Sequence, residues 1–325
     1  MTIRNDSIAN SLRVATAVAW VAAQLSGAHA QTVVRTTPLS PPPRGGEPVG
    51  IWSCGAFLQV ENHDSGTPTL SVYDQSGAEV QRVAVQIPGA RLVTTLDNHF
   101  ARSADGYLAV TGWAYGLGDR AANFLAVISP DGANQTVVRT DPYAPKALTF
   151  ASDGSIWTAG LEKNADGIYK EGIFEEPGAD YFVIRRFDRS GKLLGSAVPR
   201  GLLPEPTPLE GSRLIASKDR VGWFSPMARR YTEFSLDGKQ LGSYSHNVSI
   251  YDVAGIALCD DGGVWLSVKA DPSGKTGETI LMSLDREHGT WSGGNRRPGV
   301  YLLGCTGTTL VTTSTWDQLQ WMATH

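Results

Sequence analysis

Three cysteines and six histidines are all that 325 residues supply of the softer metal and redox ligands. They form no Cys-x-x-Cys, His-x-x-x-His or His-Glu-x-x-His pattern, so the familiar zinc spacings are missing. Charge is sparse: 18% of residues are Asp, Glu, Lys or Arg, the net charge is −4, and there is no basic block. A nucleic-acid binder would carry a basic patch, so that class is excluded as a partner. After residue 30 no apolar run approaches the length of about twenty residues that a membrane span needs. Helical amphipathic periodicity is also missing there. The nucleophile-elbow pattern Gly-x-Ser-x-Gly does not occur. "GLGDRA" (116–121) has dinucleotide-loop spacing, but the strand-like "NFLAVI" follows where a helix must start. "SGKTG" (273–277) has Lys269 where a phosphate loop needs its first glycine.

What is present is glycine (36), proline (18) and a 41% hydrophobic fraction, enough for a core interrupted by many turns. The first thirty residues stand apart. Arg4 and Arg13 precede "VATAVAWVAAQL" (14–25), and "AHA" (28–30) gives a small-x-small cleavage pattern before Gln31. A signal peptide over 1–30 is expected, with 31–325 as one domain. The mature chain is then periplasmic or secreted, where disulfides persist, with no membrane span after cleavage.

Two turn units alternate along the rest. The first is "SADGYLAV" (103–110), "ASDGSIWTAG" (151–160), "SKDRVGWF" (217–224) and "CDDGGVWLSV" (259–268). Asp bonds its own backbone in such turns, and Gly accepts positive φ. The apolar run after each turn reads as a buried strand. Trp157, Trp223 and Trp265 recur at one place in it and are expected in the core. The second unit is "VYDQSGAEV" (72–80), "VISPDGANQTVV" (127–138), "RFDRSGKLLG" (186–195) and "EFSLDGKQLG" (233–242), a hairpin pattern. Each pair of units makes four antiparallel strands, and the alternation predicts an all-β propeller. Six blades are expected, near 50–88, 98–140, 147–199, 212–245, 253–292 and 299–322.

The sixth segment ends one strand short. "QTVVRTTPLSP" (31–41) matches "QTVVRTDPYAP" (135–145) at eight of eleven positions. The later copy follows a second-unit turn and so reads as an outermost strand. Residues 31–37 are therefore expected to supply the missing outermost strand and close the ring.

The turns "FDRSGKLLG", "FSLDGKQLG", "SDGSIW" and "DDGGVW" resemble those of six-bladed propellers of the NHL and gluconolactonase-like (SMP-30-like) type. The likeness covers nearly the whole mature chain but marks blade turns, not activity. In gluconolactonase-like propellers, acidic and amide side chains at the channel mouth hold a divalent cation of the Ca2+ type for lactone hydrolysis. Glu210 and Asp252 are the positions here that fit that part.

Cys54, Cys259 and Cys305 fall at one level of three cyclically adjacent blades. One disulfide, either Cys54–Cys305 or Cys259–Cys305, three buried thiols, and a three-thiolate site are the alternatives. A bond requires Cα atoms within about 7 Å.

The long connecting segments, 114–123, 161–180, 199–211 and 269–278, all emerge on one face. Inserts gathered on one face mark a binding face. The acidic 161–180 segment reads as a solvated loop. His63, His99, His246, His288 and His325 are scattered and read as loop or surface residues. His99, Lys146, Glu210, Asp252 and Tyr301 begin the innermost strands on the loop-rich face and are the candidate channel mouth. Trp113 and Tyr115 stand near the same rim and suit stacking on a ligand. The expected function is an exported propeller that binds a small molecule or a protein through this face. The alternative is a metal-dependent, lactonase-like hydrolase or lyase at the channel mouth.

Overall fold

The computed structural model describes residues 31–43, 49–61, 66–96, 99–116, 121–163, 180–203, 211–249, 252–271 and 277–324. Six antiparallel sheets of four strands stand in a ring, a six-bladed β-propeller. A 3-10 turn lies at Arg200–Leu202.

Blade I holds β2 (Val49–Ser53), β3 (Ala56–Glu61), β4 (Thr69–Tyr73) and β5 (Glu79–Ala84). Blade II has a divided innermost strand, β6 (Leu92–Thr94) and β7 (Phe100–Arg102), both paired with β8 (Leu108–Tyr115). Its remaining strands are β9 (Ala122–Ile128) and β10 (Gln135–Arg139). Blade III holds β11 (Tyr143–Phe150), β12 (Ile156–Glu162), β13 (Phe182–Phe187) and β14 (Leu193–Pro199). Blade IV holds β15 (Arg213–Ala216), β16 (Arg220–Ser225), β17 (Arg230–Ser235) and β18 (Gln240–Ser245). Blade V holds β19 (Val253–Leu258), β20 (Val264–Lys269), β21 (Glu278–Asp285) and β22 (Thr290–Pro298). Blade VI holds β23 (Tyr301–Thr306), β24 (Thr309–Thr313) and β25 (Gln318–Thr324).

The fourth strand of blade VI is β1 (Gln31–Pro38), paired antiparallel with β25 from Gln31↔Thr324 to Pro38↔Gln318. The chain's first described strand thus closes the ring. Arg35 sits 3.9 Å over the Trp321 ring, and Trp321 Nε1 donates to Thr37 Oγ1 at 3.2 Å. The chain then crosses to blade I: Ser40 N–H donates to Gly77 C=O, and Glu79 N–H to Ser40 C=O.

The turn chemistry explains the repeats. Asp74 Oδ1 accepts the backbone N–H groups of Ser76 (2.8 Å) and Ala78 (3.1 Å), and Asp188 does the same for Ser190 (2.8 Å) and Lys192 (3.0 Å). The Ser76 and Ser190 hydroxyls hold these carboxyls below the usual carboxylate range. The glycines of the hairpin units have a second duty. Gly191 has φ +82°, and a Cβ there would overlap Val138 on the outermost strand of the preceding blade. Gly77 of blade I, at φ +81°, meets Pro38 and Thr37 of β1 in the same way. β1 thus packs on a hairpin glycine of blade I, and β10 on one of blade III.

The core lies between blades. Trp157 of β12 packs on Phe234 of β17, ring centroids 5.9 Å apart, and Trp223 and Trp265 are buried. Polar groups also bridge the junctions. Glu233 of blade IV is 1% exposed and takes Arg286 of blade V on both carboxylate oxygens at 2.6–3.2 Å, with Arg220 and Tyr231 completing its shell.

Cys259 and Cys305 form a disulfide, Cα atoms 5.2 Å apart, between blades V and VI. Cys54 remains an accessible thiol in the turn after β2, so the Cys54–Cys305 pairing is not the one formed. Its packed surroundings raise the thiol pKa, against the lowering effect of Arg102.

Candidate functional site

The innermost strands β2, β7, β11, β15, β19 and β23 run parallel around a central channel. Each of β2, β11, β15, β19 and β23 has one sheet partner, so its other edge faces the channel. The channel holds a cavity of about 360 Å3. Its wall is built from consecutive residues, including Gly50–Cys54, Val253–Leu258 and Tyr301–Cys305. Side chains of a strand alternate between faces, so an unbroken run means that backbone edges face the cavity. Side chains between them are mostly small or aliphatic, such as Ile51, Ala101, Ile215 and Ala254.

The loop-rich end of this cavity is where the innermost strands begin. Tyr301, first residue of β23, is 40% exposed there. Its ring lies 5.4 Å from Trp316, with planes tilted by 36°. Trp316 stands in the loop between β24 and β25 with φ +61°, and its N–H donates to Thr313 Oγ1 at 3.0 Å. The next residue, Asp317, accepts the N–H of Leu39 at 2.8 Å. Ring closure and the placing of Trp316 are thus one structural feature. Arg213, first residue of β15, is the charged side chain of the lining, and its Nη1 reaches Ser212 C=O at 3.5 Å.

Of the expected mouth residues, the structure brings Tyr301 to the cavity. His99 is buried beside Trp113, ring centroids 5.4 Å apart, and Lys146 Nζ sits 4.3 Å over the Trp113 ring. These three form a stack between blades II and III and are not part of the cavity lining. The innermost strand of blade II is broken before His99, and Lys146 stands at a bulge between Pro145 and Ala147. Tyr115 ends β8 and is exposed. Asp252 stands one residue before the lining run that starts at Val253. Glu210 lies outside the described residues, as do positions 164–179 of the acidic segment and His63 and His325. His246 is buried and stacked on Phe224 at 4.5 Å, contrary to a surface position, while His288 is exposed and bonded to Asp285. Trp316 and Arg213 were not anticipated as mouth residues. Trp316 lies in a segment that reads as strand, and no sequence signal marks its positive φ. Arg213 is a strand-initial polar residue of the kind sought, three positions after Glu210.

Among the described residues no three His, Cys, Asp or Glu side chains converge as a metal-binding group. The described mouth presents two aromatic rings and a guanidinium, while Glu210, one of the two positions that the gluconolactonase likeness implies for a cation, lies outside the described residues.

No family model matches the chain, and no curated protein sequence matches it. Solved structures do. A Bacteroides fragilis protein whose name supposes it to be exported has a TM-score of 0.52 at 11% identity, over 91% of this chain and 95% of that one. A protein of unknown function from Bacteroides thetaiotaomicron has a TM-score of 0.50 at 11% identity, over 91% of this chain and 76% of that one. Virginiamycin B lyase from Staphylococcus aureus has a TM-score of 0.47 at 15% identity, over 90% of this chain and 99% of that one. At these identities the likeness is one of fold: this chain shares the β-propeller architecture.

Proposed function

We propose that this protein is an exported propeller that holds a small molecule in its central channel, admitted from the loop-rich face. One observation carries the reading: a cavity of about 360 Å3 that opens beside the Tyr301–Trp316 pair. That volume falls in the range of about 300–1,000 Å3 typical of small-ligand sites. Aliphatic walls with a few polar groups at the entrance are the usual makeup of such sites. A protein partner would call instead for a broad, shallow patch. Export is read from the leader pattern of residues 1–30, and the NHL-like assignment from the hairpin turns.

The test is thermal unfolding of the mature chain against a small-molecule library, repeated with Ala254→Phe and Ala216→Phe, which fill the cavity. A ligand at a hundred times its Kd stabilises the native state by about 2.7 kcal/mol. The stabilisation should vanish in both filled variants. A ligand whose effect survives both binds elsewhere, and the channel assignment then fails.

A further inference from the structure

The wall of the channel narrows the class of ligand, on the reading that the channel is the binding site. Five innermost strands offer it an open edge, and each edge carries N–H and C=O groups without a strand partner. Buried backbone groups of this kind need a hydrogen-bonding partner. Polar side chains add little to them. Ser53 Oγ is committed to Arg102, donating to its C=O at 2.9 Å and accepting its N–H at 3.0 Å. Thr149 Oγ1 turns to Phe150 C=O at 3.5 Å. The side chains between the strand edges are Ile51, Ile215, Ala254 and their like. At the entrance stand two aromatic rings and the Arg213 guanidinium.

Three kinds of ligand meet such a wall differently. A hydrocarbon would leave the strand edges dry. A hydroxyl-rich ring carries polar groups all round, and several would face aliphatic side chains. Each unsatisfied polar group costs about 1–3 kcal/mol. A flat heteroaromatic ring has apolar faces and confines its donors and acceptors to its rim. Its faces suit aromatic neighbours, and its rim suits a strand edge that alternates N–H and C=O.

We infer that the channel mouth takes a flat, uncharged heteroaromatic molecule, stacked on Tyr301 and Trp316, with its in-plane N–H and ring-nitrogen groups bonded to the open edges of the innermost strands. The site is a backbone reader with an aromatic door. Because most of the hydrogen bonds come from main chain, recognition depends chiefly on the pattern of donors and acceptors, and Arg213 at the entrance disfavours a cationic ligand.

The experiment measures binding of adenine, glucose and benzene to the intact mature protein by ligand-observed NMR. It includes Tyr301→Ala, Trp316→Ala, Trp316→Phe and the cavity-filling Ala254→Phe. Loss of one stacked ring should weaken adenine roughly five- to hundredfold. Trp316→Phe should restore most of the affinity, and Ala254→Phe should abolish it. Tyr301 is exposed, so its alanine variant keeps the result readable if a Trp316 variant folds poorly. Glucose or benzene binding more tightly than adenine, with loss in Ala254→Phe, overturns the ligand class and leaves the channel assignment standing. Binding of none of the three, or binding indifferent to Ala254→Phe, overturns both.

Discussion

Deletion of residues 31–37 removes most of β1 and opens the ring at blade VI. The backbone bonds of β1 to β25 contribute about 1 kcal/mol each, and ordering the strand costs about 1–2 kcal/mol per residue. These nearly cancel, so side chains decide the outcome. Trp321 is 4% exposed and bonds Thr37 through Nε1. Stripping that partner leaves a covered donor unsatisfied, at about 1–3 kcal/mol. The Arg35 guanidinium over the same ring adds about 0.5–1 kcal/mol. Together the deletion should cost about 2–4 kcal/mol. At roughly 2–4 °C per kcal/mol for a domain of this order, Tm should fall by roughly 5–15 °C in calorimetry. The synthetic peptide QTVVRTTPLS, supplied in trans, should restore part of the loss. Leu39, whose N–H donates to Asp317 C=O beside Trp316, is retained but loses the strand that precedes it, so channel binding is a second readout of the same deletion. An unchanged Tm would refute the closure argument, whatever the peptide does.

Three further predictions concern the blade junctions and one buried histidine. Glu233→Ala removes the buried carboxylate of Arg286, while Arg220 keeps Asp219, and should cost about 3 kcal/mol in denaturant unfolding, the low end for a broken buried pair. Reduction of Cys259–Cys305, which are 46 residues apart in sequence, should lower stability by about 4 kcal/mol on the chain-entropy estimate. A thiol count on the denatured, unreduced protein should then return one, from Cys54. Burial, helped by Arg229, pushes the His246 pKa from 6.5 down to about 4. As pH falls below 6.5 the unfolded chain therefore takes up this proton before the folded chain does. The stability tied to neutral His246 is whole above pH 6.5 and drains towards pH 4, by on the order of 3 kcal/mol. His246→Gln should flatten that part of the stability–pH curve measured by urea titration.

The fold was legible because propeller blades are specified by local turn chemistry. Asp74, Asp188 and Asp261 bond backbone groups within four residues, so their signature survives in a short window of sequence. Ring closure was legible for another reason. Residues 31–36 repeat 135–140 residue for residue, and 135–139 form an outermost strand, so the copy marked the same role at the other end of the chain. The channel lining was less legible. Counting strand starts assigns side chains to the mouth, whereas the cavity is faced by strand edges, where side-chain identity matters less. His99 and Lys146 stack with Trp113 outside the cavity lining, which counting strand starts does not reveal. Trp316 reaches the mouth through a left-handed backbone conformation in a loop that no turn pattern announces. Of the three cysteines left open by the sequence, Cys259 and Cys305 pair and Cys54 stays a free thiol.

The central claim is that the channel is where this protein meets its ligand. Amide hydrogen exchange with and without any stabilising small molecule tests it most directly, because the strand edges are themselves the proposed reader. Exchange should slow along 213–216, 253–258 and 301–305 and around Trp316, with the outermost strands unchanged. Protection confined to the outermost strands or to the hairpin face, with the innermost strands unaffected, would contradict it.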